Sequence, residues 1–435
     1  MNTTQATPAS ELELPADLAR DLVDPNAFTD MERVHSAYAW ARANNPLGRA
    51  VIDGYDPFWV VTKHADITAI SRDNTLYSNA VYSAVCMPKT SIDHIISVTG
   101  CPHYIHSLVH LDGEEHKNLR GLTQAWFMPN SIQKLDGKLR ELAKATVDKM
   151  HASSGSVIDF VGDVALYYPL HIIMEILGVP AEDEPMMLRL TQEIFRNEDP
   201  EVKKKSAEQA SQGDAGAALM SAIAEFNSYF RVLNENRLLH PRDDVATLLA
   251  QAVVDGAPLS ERNRLGYYII IAAAGHDTTS ASAATAMWAL SREPELLARL
   301  KADRSLIPQF IDEAIRFATP VRHFMRTATE DTEIRGRKIA KGDWLMLCYG
   351  SANRDEEVFE KPSEFNIDRK PNRHLAFGFG GHVCLGQHLA KMELRILFEE
   401  IIDRLDSVTP EGEMEMSASR IVGGPKHLPV RCVVR

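Results

Sequence analysis

One cysteine, Cys384, follows a glycine-rich turn in Phe377-Gly378-Phe379-Gly380-Gly381-His382-Val383-Cys384-Leu385-Gly386 and stands directly before a helical pattern. In that pattern Leu385, Leu389, Met392 and Ile396, continued by Ile401 and Leu405, are spaced for one buried face, while Lys391, Glu393, Arg395, Glu399 and Glu400 fall elsewhere. A sulfur at a helix N-terminus meets free N–H groups and the positive end of the macrodipole, so this position favours a thiolate. A stable thiolate calls for a cation. The chain has no second cysteine nearby, no HExxH and no Cys/His cluster at zinc spacing, so the fitting role is a single thiolate ligand to a metal already chelated, as in haem. The glycines let the backbone pass close under a flat macrocycle and offer N–H groups to the sulfur.

A second set of residues interrupts the most apolar window of the chain, Leu265 to Leu290, with Gly275, His276, Asp277, Thr278 and Thr279. A buried carboxylate beside a buried hydroxyl costs several kcal/mol unless partners satisfy it, which marks Asp277 and Thr278 as functional candidates. Thr279 is assigned to back-bonding onto the preceding turn and His276 to an ordinary core or surface position. Ile270, Ala273, Ala274 and Asp277 recur at three- and four-residue steps, so they share a face, and the small side chains at 273 and 274 would leave room for a compact ring system with Ile270 as its wall.

Together these motifs resemble the cytochromes P450, whose signature Phe-x-x-Gly-x-x-x-Cys-x-Gly is matched by Phe377, Gly380, Cys384 and Gly386. The family's other motifs follow in the expected order as Ala274-Gly275-His276-Asp277-Thr278-Thr279 and Glu313-Ala314-Ile315-Arg316. The resemblance covers nearly the whole chain after residue 25. Gly54-Tyr55-Asp56-Pro57, Ala125-Trp126-Phe127 and Ala352-Asn353-Arg354-Asp355-Glu356-Glu357-Val358-Phe359 draw it toward the soluble bacterial branch that hydroxylates monoterpenes of the α-terpineol type.

The resemblance implies a mainly α fold with small β-sheets, in which haem b lies between a long oxygen-side helix and the cysteine-loop helix. Cys384 would be the iron ligand and Asp277 and Thr278 the catalytic proton relay. His116 and Arg120, four apart on one helix, together with Arg326 and His382, would hold the haem propionates. Ile270, Ala273 and Ala274 would touch substrate. Glu313 and Arg316 would form a buried network with Arg369, a structural role. The implied activity is O2-dependent hydroxylation of a small apolar molecule, a monoterpenoid or an alkylbenzene. Two electrons would come from NAD(P)H through a separate reductase and a [2Fe-2S] ferredoxin, because 435 residues leave no room for a fused redox domain. The alternatives are a peroxide-using relative, which could dispense with the acid–alcohol relay, and a haem sensor or carrier.

The rest of the chain must position these groups. Its composition, 45% hydrophobic and 25% charged, is that of a folded globular protein. A net charge of −13 works against binding nucleic acid or anionic lipid. Five scattered cysteines without a CxxC pair, and an acidic amino terminus without a signal-peptide pattern, point to the cytoplasm with no membrane anchor. Residues 1–15 are expected to be disordered and 16–435 to form one domain. Helices are expected over Met31–Asn44, from Ala65, through Gly113 to Arg237, and over Leu259–Ser291 and Ser305–Ala318. A hairpin is expected over Val51–Thr62, and short strands over Arg326–Ile339 and Trp344–Tyr349. Residues 78–110 show no period and are read as a long loop, the candidate substrate lid.

Overall fold

The computed structural model describes residues 12–209 and 215–435. Helices dominate, as the periodicity predicts, and the apolar runs that are not helical form a five-stranded sheet in the order Leu47–Ala50, Phe58–Val61, Trp344–Cys348, His323–Ala328, Tyr77–Ser78. Phe58–Val61 and Trp344–Cys348 pair in parallel, with Trp344 opposite Phe58, and both are buried at every position. A strand covered on both faces needs no polar alternation, which is why these two read as unbroken hydrophobic runs. The expected hairpin is present, but its first strand is Leu47–Ala50, with Leu47 opposite Val61. Val51, half exposed, already belongs to the turn.

Two other sequence expectations need correction. Of the expected disordered segment, residues 1–11 lie outside the described residues. Residues 12–15, however, are ordered: Leu14 is buried and its N–H donates to Arg49 O at 2.9 Å. The stretch 78–110, expected to be a long loop, contains a helix, Lys89–Thr99, which buries Ile92 and Ile95. The remaining loop packs on the central helix, and His103 stacks on His106 and His110 with ring centroids 5.3 and 4.4 Å apart.

That central helix, Glu261–Arg292, is 32 residues long and therefore about 48 Å from end to end. Ser260 caps its start by accepting the N–H of Asn263 at 3.2 Å, and Pro294 begins the next helix just beyond its end. It is buried on almost all sides, packed against Tyr167–Leu177 and Ile307–Ala318. The backbone of the 101–110 loop comes so close that a Cβ on Gly266 would lie 1.8 Å from His106 O, so only glycine admits the contact.

Ile307–Ala318 carries the polar anchor of the core. Glu313 and Arg316 are 0% exposed and joined by two hydrogen bonds of 2.7 and 2.8 Å. Arg369 Nε, the backbone N–H of Asn366 and Asn372 Nδ2 also donate to the Glu313 carboxylate. Arg316 turns its remaining donors on the carbonyls of Asn353, Pro362 and Glu364. Arg369 is thus the third member of the network, as the sequence expects, and the anchor holds the segment that leads into the cysteine loop.

Candidate active site

The cysteine loop is closed by backbone bonds: Cys384 N donates to Phe377 O at 2.8 Å and Val383 N to Gly380 O at 3.1 Å. Gly380 has φ +73°, and a Cβ there would stand 2.0 Å from Ser71 O, so both conformation and space demand glycine. Helix Gln387–Arg404 starts three residues after Cys384, whose side chain is exposed on the loop. Although the side chain is open on one side, the protein packed around it desolvates the sulfur and raises its pKa, against the lowering effects of the Gly386 and Gln387 N–H groups and of Arg120. This corrects the expectation from helix position alone: the helix terminus favours a thiolate, but a cation on the sulfur is needed to hold it in that form.

Four cationic or donor side chains gather around this loop, and all four are those singled out in the sequence. Arg120, on helix Gly113–Gln124, donates Nη2 to Val383 O at 2.8 Å. His116, one turn earlier, is buried with Nε2 lacking any hydrogen-bond partner, and its ring lies 4.2 Å from that of His382. Burial, then His382 and Arg120, lower the His116 pKa to about 4. His382 Nε2 is 3.0 Å from Asp112 Oδ1, and the electrostatic influence of Arg326 and Arg120 reaches its ring. Arg326 is buried in its strand with Nη1 on Met325 O, and no ion pair holds it among the described residues. Against these donors stands the carboxylate of Asp112, just before helix Gly113–Gln124, already engaged by Ser78, Asn79 and Ala80. The donor excess and the orphaned His116 nitrogen fit the two carboxylates of haem, and the exposed Cys384 sulfur fits its iron.

The central helix is open along one side. Ala274 is exposed and Ile270, Gly275 and Thr278 are partly so, whereas the other residues from 265 to 280 are buried. Ala273, placed by the sequence on the same face, is only 5% exposed, and Asp277 is buried too. At about 100° per residue, a step of four turns the helix by about 40° and a step of three by about 60° the other way, so residues 270, 274 and 278 form a stripe that 273 leaves. Ala273 is therefore withdrawn from the open face.

Asp277 points instead to Arg196, just past helix Glu184–Phe195, with Nη2 2.9 Å from Oδ1 and Nε 3.2 Å from Oδ2. His276, fully buried as a core residue, stands between Ala272 O at 2.9 Å and Thr191 Oγ1 at 3.3 Å. The back-bonding expected of Thr279 is made chiefly by Thr278. Thr278 back-bonds to Ala274 O at 3.0 Å, whereas Thr279 reaches Glu393 Oε1 at 3.0 Å and only weakly Gly275 O at 3.5 Å.

Arg196 and Glu393 are thus the residues that sequence reasoning missed. Nothing in the local spacing marks Arg196, because its partner is 81 positions away. Glu393 did leave a trace: four residues after Leu389 and four before Leu397, it falls on the apolar face rather than elsewhere, and it is 2% exposed. Burial raises its pKa well above the usual carboxylate range. The Thr279–Glu393 bond joins the central helix to the cysteine helix one residue from Thr278.

Comparison with known proteins agrees with this geometry. The cytochrome P450 family model matches residues 94–428. Cytochrome P450-terp of a Pseudomonas species is 46% identical over 419 residues, 96% of this chain and 98% of the relative. A steroid C26-monooxygenase of Mycolicibacterium smegmatis is 34% identical over 380 residues, 86% of this chain and 83% of the relative. Among solved structures, CYP108D1 from Novosphingobium aromaticivorans superposes with a TM-score of 0.89 at 44% identity, covering 97% of this chain and all of that one. The Mycobacterium marinum cytochrome P450 CYP268A2, solved with pseudoionone, gives 0.85 at 26% identity over 99% and 100%.

Proposed function

Because this chain belongs to the cytochrome P450 family and is a haem-thiolate monooxygenase, we propose that it hydroxylates a compact apolar molecule, a monoterpenoid or an alkylbenzene of similar size. The observation that carries the reading is the stripe Ile270, Ala274 and Thr278: a small residue and an aliphatic wall flanking the one hydroxyl that faces the open site. The name of the Pseudomonas relative and the pseudoionone bound in the Mycobacterium marinum structure lend it support. The electron donor in this reading is a [2Fe-2S] ferredoxin served by a separate NAD(P)H-dependent reductase. The compartment is the cytoplasm, in keeping with five free cysteines and with the absence, among the described residues, of any helix long and apolar enough to cross a membrane.

Haem, when bound, supplies thiolate-ligated iron for O2 activation. Cys384 holds the metal, and the N–H groups of Gly386 and Gln387 and the Arg120 charge stabilise the negative sulfur. His116, Arg120, Arg326 and His382 hold the propionates. Asp277, kept in place by Arg196, is the carboxylate that brings protons toward the helix opening. Thr278 hands them on by turning its hydroxyl from Ala274 O into the site. Ala274 and Ile270 set how close and in what orientation a substrate lies.

Two expected results follow. Thr278→Ala will leave substrate binding intact but lower the hydroxylated product per NAD(P)H several-fold, with peroxide making up the difference. Thr279→Ala will instead lower Tm, since it strips the partner from a buried carboxyl. Product yield, peroxide and thermal unfolding of both variants check this, and equal yields from the wild type and Thr278→Ala would remove the relay. For the substrate, Ala274→Phe will abolish the Soret shift produced by monoterpenes while keeping haem. Ala273→Phe will leave that shift in place and cost about 1–3 kcal/mol through overpacking. Titration of the wild type with a panel of monoterpenes and alkylbenzenes tests the proposal itself; no shift with any of them would overturn it.

A further inference from the structure

Seven arginines are buried among the described residues, and four of them lie against a carboxylate: Arg42 on Glu356, Arg196 on Asp277, Arg237 on Asp244 and Arg316 on Glu313. Arg326 lacks such a partner and belongs to the haem site. The last two, Arg322 and Arg354, are 3% and 4% exposed, and neither forms an ion pair with any described carboxylate. They line one small cavity together with Met31, His35, Tyr38 and Thr319, where the helix Met31–Asn44 packs against the end of Ile307–Ala318 and the turn Tyr349–Ala352.

The donors of these two guanidinium groups are poorly matched. Arg322 Nε has a good acceptor in Ser419 O at 3.0 Å. Its Nη1 rests 3.2 Å from the thioether of Met31, a weak acceptor that also lines the cavity, and Nη2 has no partner at all. Arg354 gives Nη2 to Phe317 O at 3.0 Å. Each guanidinium also lies over an aromatic ring, Arg322 over Phe28 at 4.5 Å and Arg354 over Phe317 at 4.9 Å, which supplies a diffuse attraction but no acceptor. Burial lowers the pKa of Arg322 to about 10 and of Arg354 to about 9, with Arg316 and Arg42 pushing Arg354 further the same way. Both therefore stay charged at neutral pH. Burial and then the charges of Arg354 and Arg322 hold His35, on the same wall, well below its ordinary pKa, which reports the positive potential there. Two unpaired cations in a low-dielectric space are costly, and an anion between them removes the cost.

The size of the space selects the anion. The cavity is about 10 Å³, which is room for one water-sized particle and far too little for phosphate, sulfate or a carboxylic acid. We infer that the cavity between Arg322 and Arg354 binds a single monatomic halide, chloride under ordinary conditions, as a structural anion distinct from the haem site. Arg322 also carries the segment after Glu415–Met416, through Ser419 O and through its own N–H to Ile421 O at 2.8 Å, so the anion would stabilise the docking of that segment.

The test is thermal unfolding of the haem-loaded protein in chloride and in gluconate, at equal ionic strength and pH. Native-state binding raises Tm with ligand concentration and saturates, so chloride will raise Tm by several degrees relative to gluconate. Arg322→Met will abolish that difference, and Thr278→Ala will keep it. Should Arg322→Met fail to fold, long-wavelength anomalous diffraction from wild-type crystals grown in chloride decides, with a peak expected between the two guanidinium groups. Identical Tm values in the two salts, a chloride effect that survives Arg322→Met, or no anomalous peak would each overturn the assignment.

Discussion

Replacing Cys384 by alanine will leave a folded, helical protein whose reduced carbon-monoxide complex lacks the red-shifted Soret band of thiolate-bound haem and whose monooxygenase turnover falls below detection. The fold survives because the loop is closed by main-chain bonds from Cys384 N and Val383 N, and by Arg120 on Val383 O, none of which uses the sulfur. The sulfur makes no hydrogen bond that closes the loop, so far-UV circular dichroism will keep its helical signature and the loss will fall on iron ligation. What disappears is the only group on the loop able to ligate iron as an anion. Persistence of the red-shifted band in Cys384→Ala would refute the ligand assignment.

Glu313→Gln will have the largest effect on stability. The carboxylate accepts from Arg316, Arg369, Asn366 and Asn372, and both it and Arg316 are fully buried. Glutamine matches its shape but not its charge, and it turns donors toward donors. Breaking a buried pair by removing one partner costs about 3–5 kcal/mol, a large share of the roughly 5–15 kcal/mol that stabilises a typical protein. Urea unfolding of the haem-loaded variant measures this. Because Arg369 and Arg316 also fix the carbonyls of Lys361, Glu364 and Asn353, haem retention will fall with it. A loss under about 1 kcal/mol would show that the network is dispensable.

Local pattern made part of this molecule legible before any coordinates. The Cys384 turn, the helix Met31–Asn44 and the long central helix depend on short-range spacing, and there sequence and structure agree within a few residues. His116, Arg120, Arg326 and His382 were named from motif positions, and the structure gathers them around the cysteine loop. What could not be read depends on which helix packs where. The bond from Thr279 to Glu393 spans 114 positions and that from Arg196 to Asp277 spans 81. Ala273 shares the expected face because steps of three and four look alike on paper, while the packed neighbours bury it and leave Ile270, Ala274, Gly275 and Thr278 at least partly open. The helix Lys89–Thr99 went unseen because its apolar side has only two buried residues, Ile92 and Ile95, too few to establish a period.

The contact between Gly266 and His106 sets a rule for anyone who would re-engineer this enzyme by exchanging parts. The loop is seated on the central helix by the absence of a side chain, and a missing group cannot be transplanted with the loop that uses it. Residues 101–110 moved onto a relative with alanine at the matching helix position would ride high, however well the loop itself folds. Loop and helix are therefore one hereditary unit: a library that shuffles the loop must carry position 266 with it, or it will sample misfitted loops.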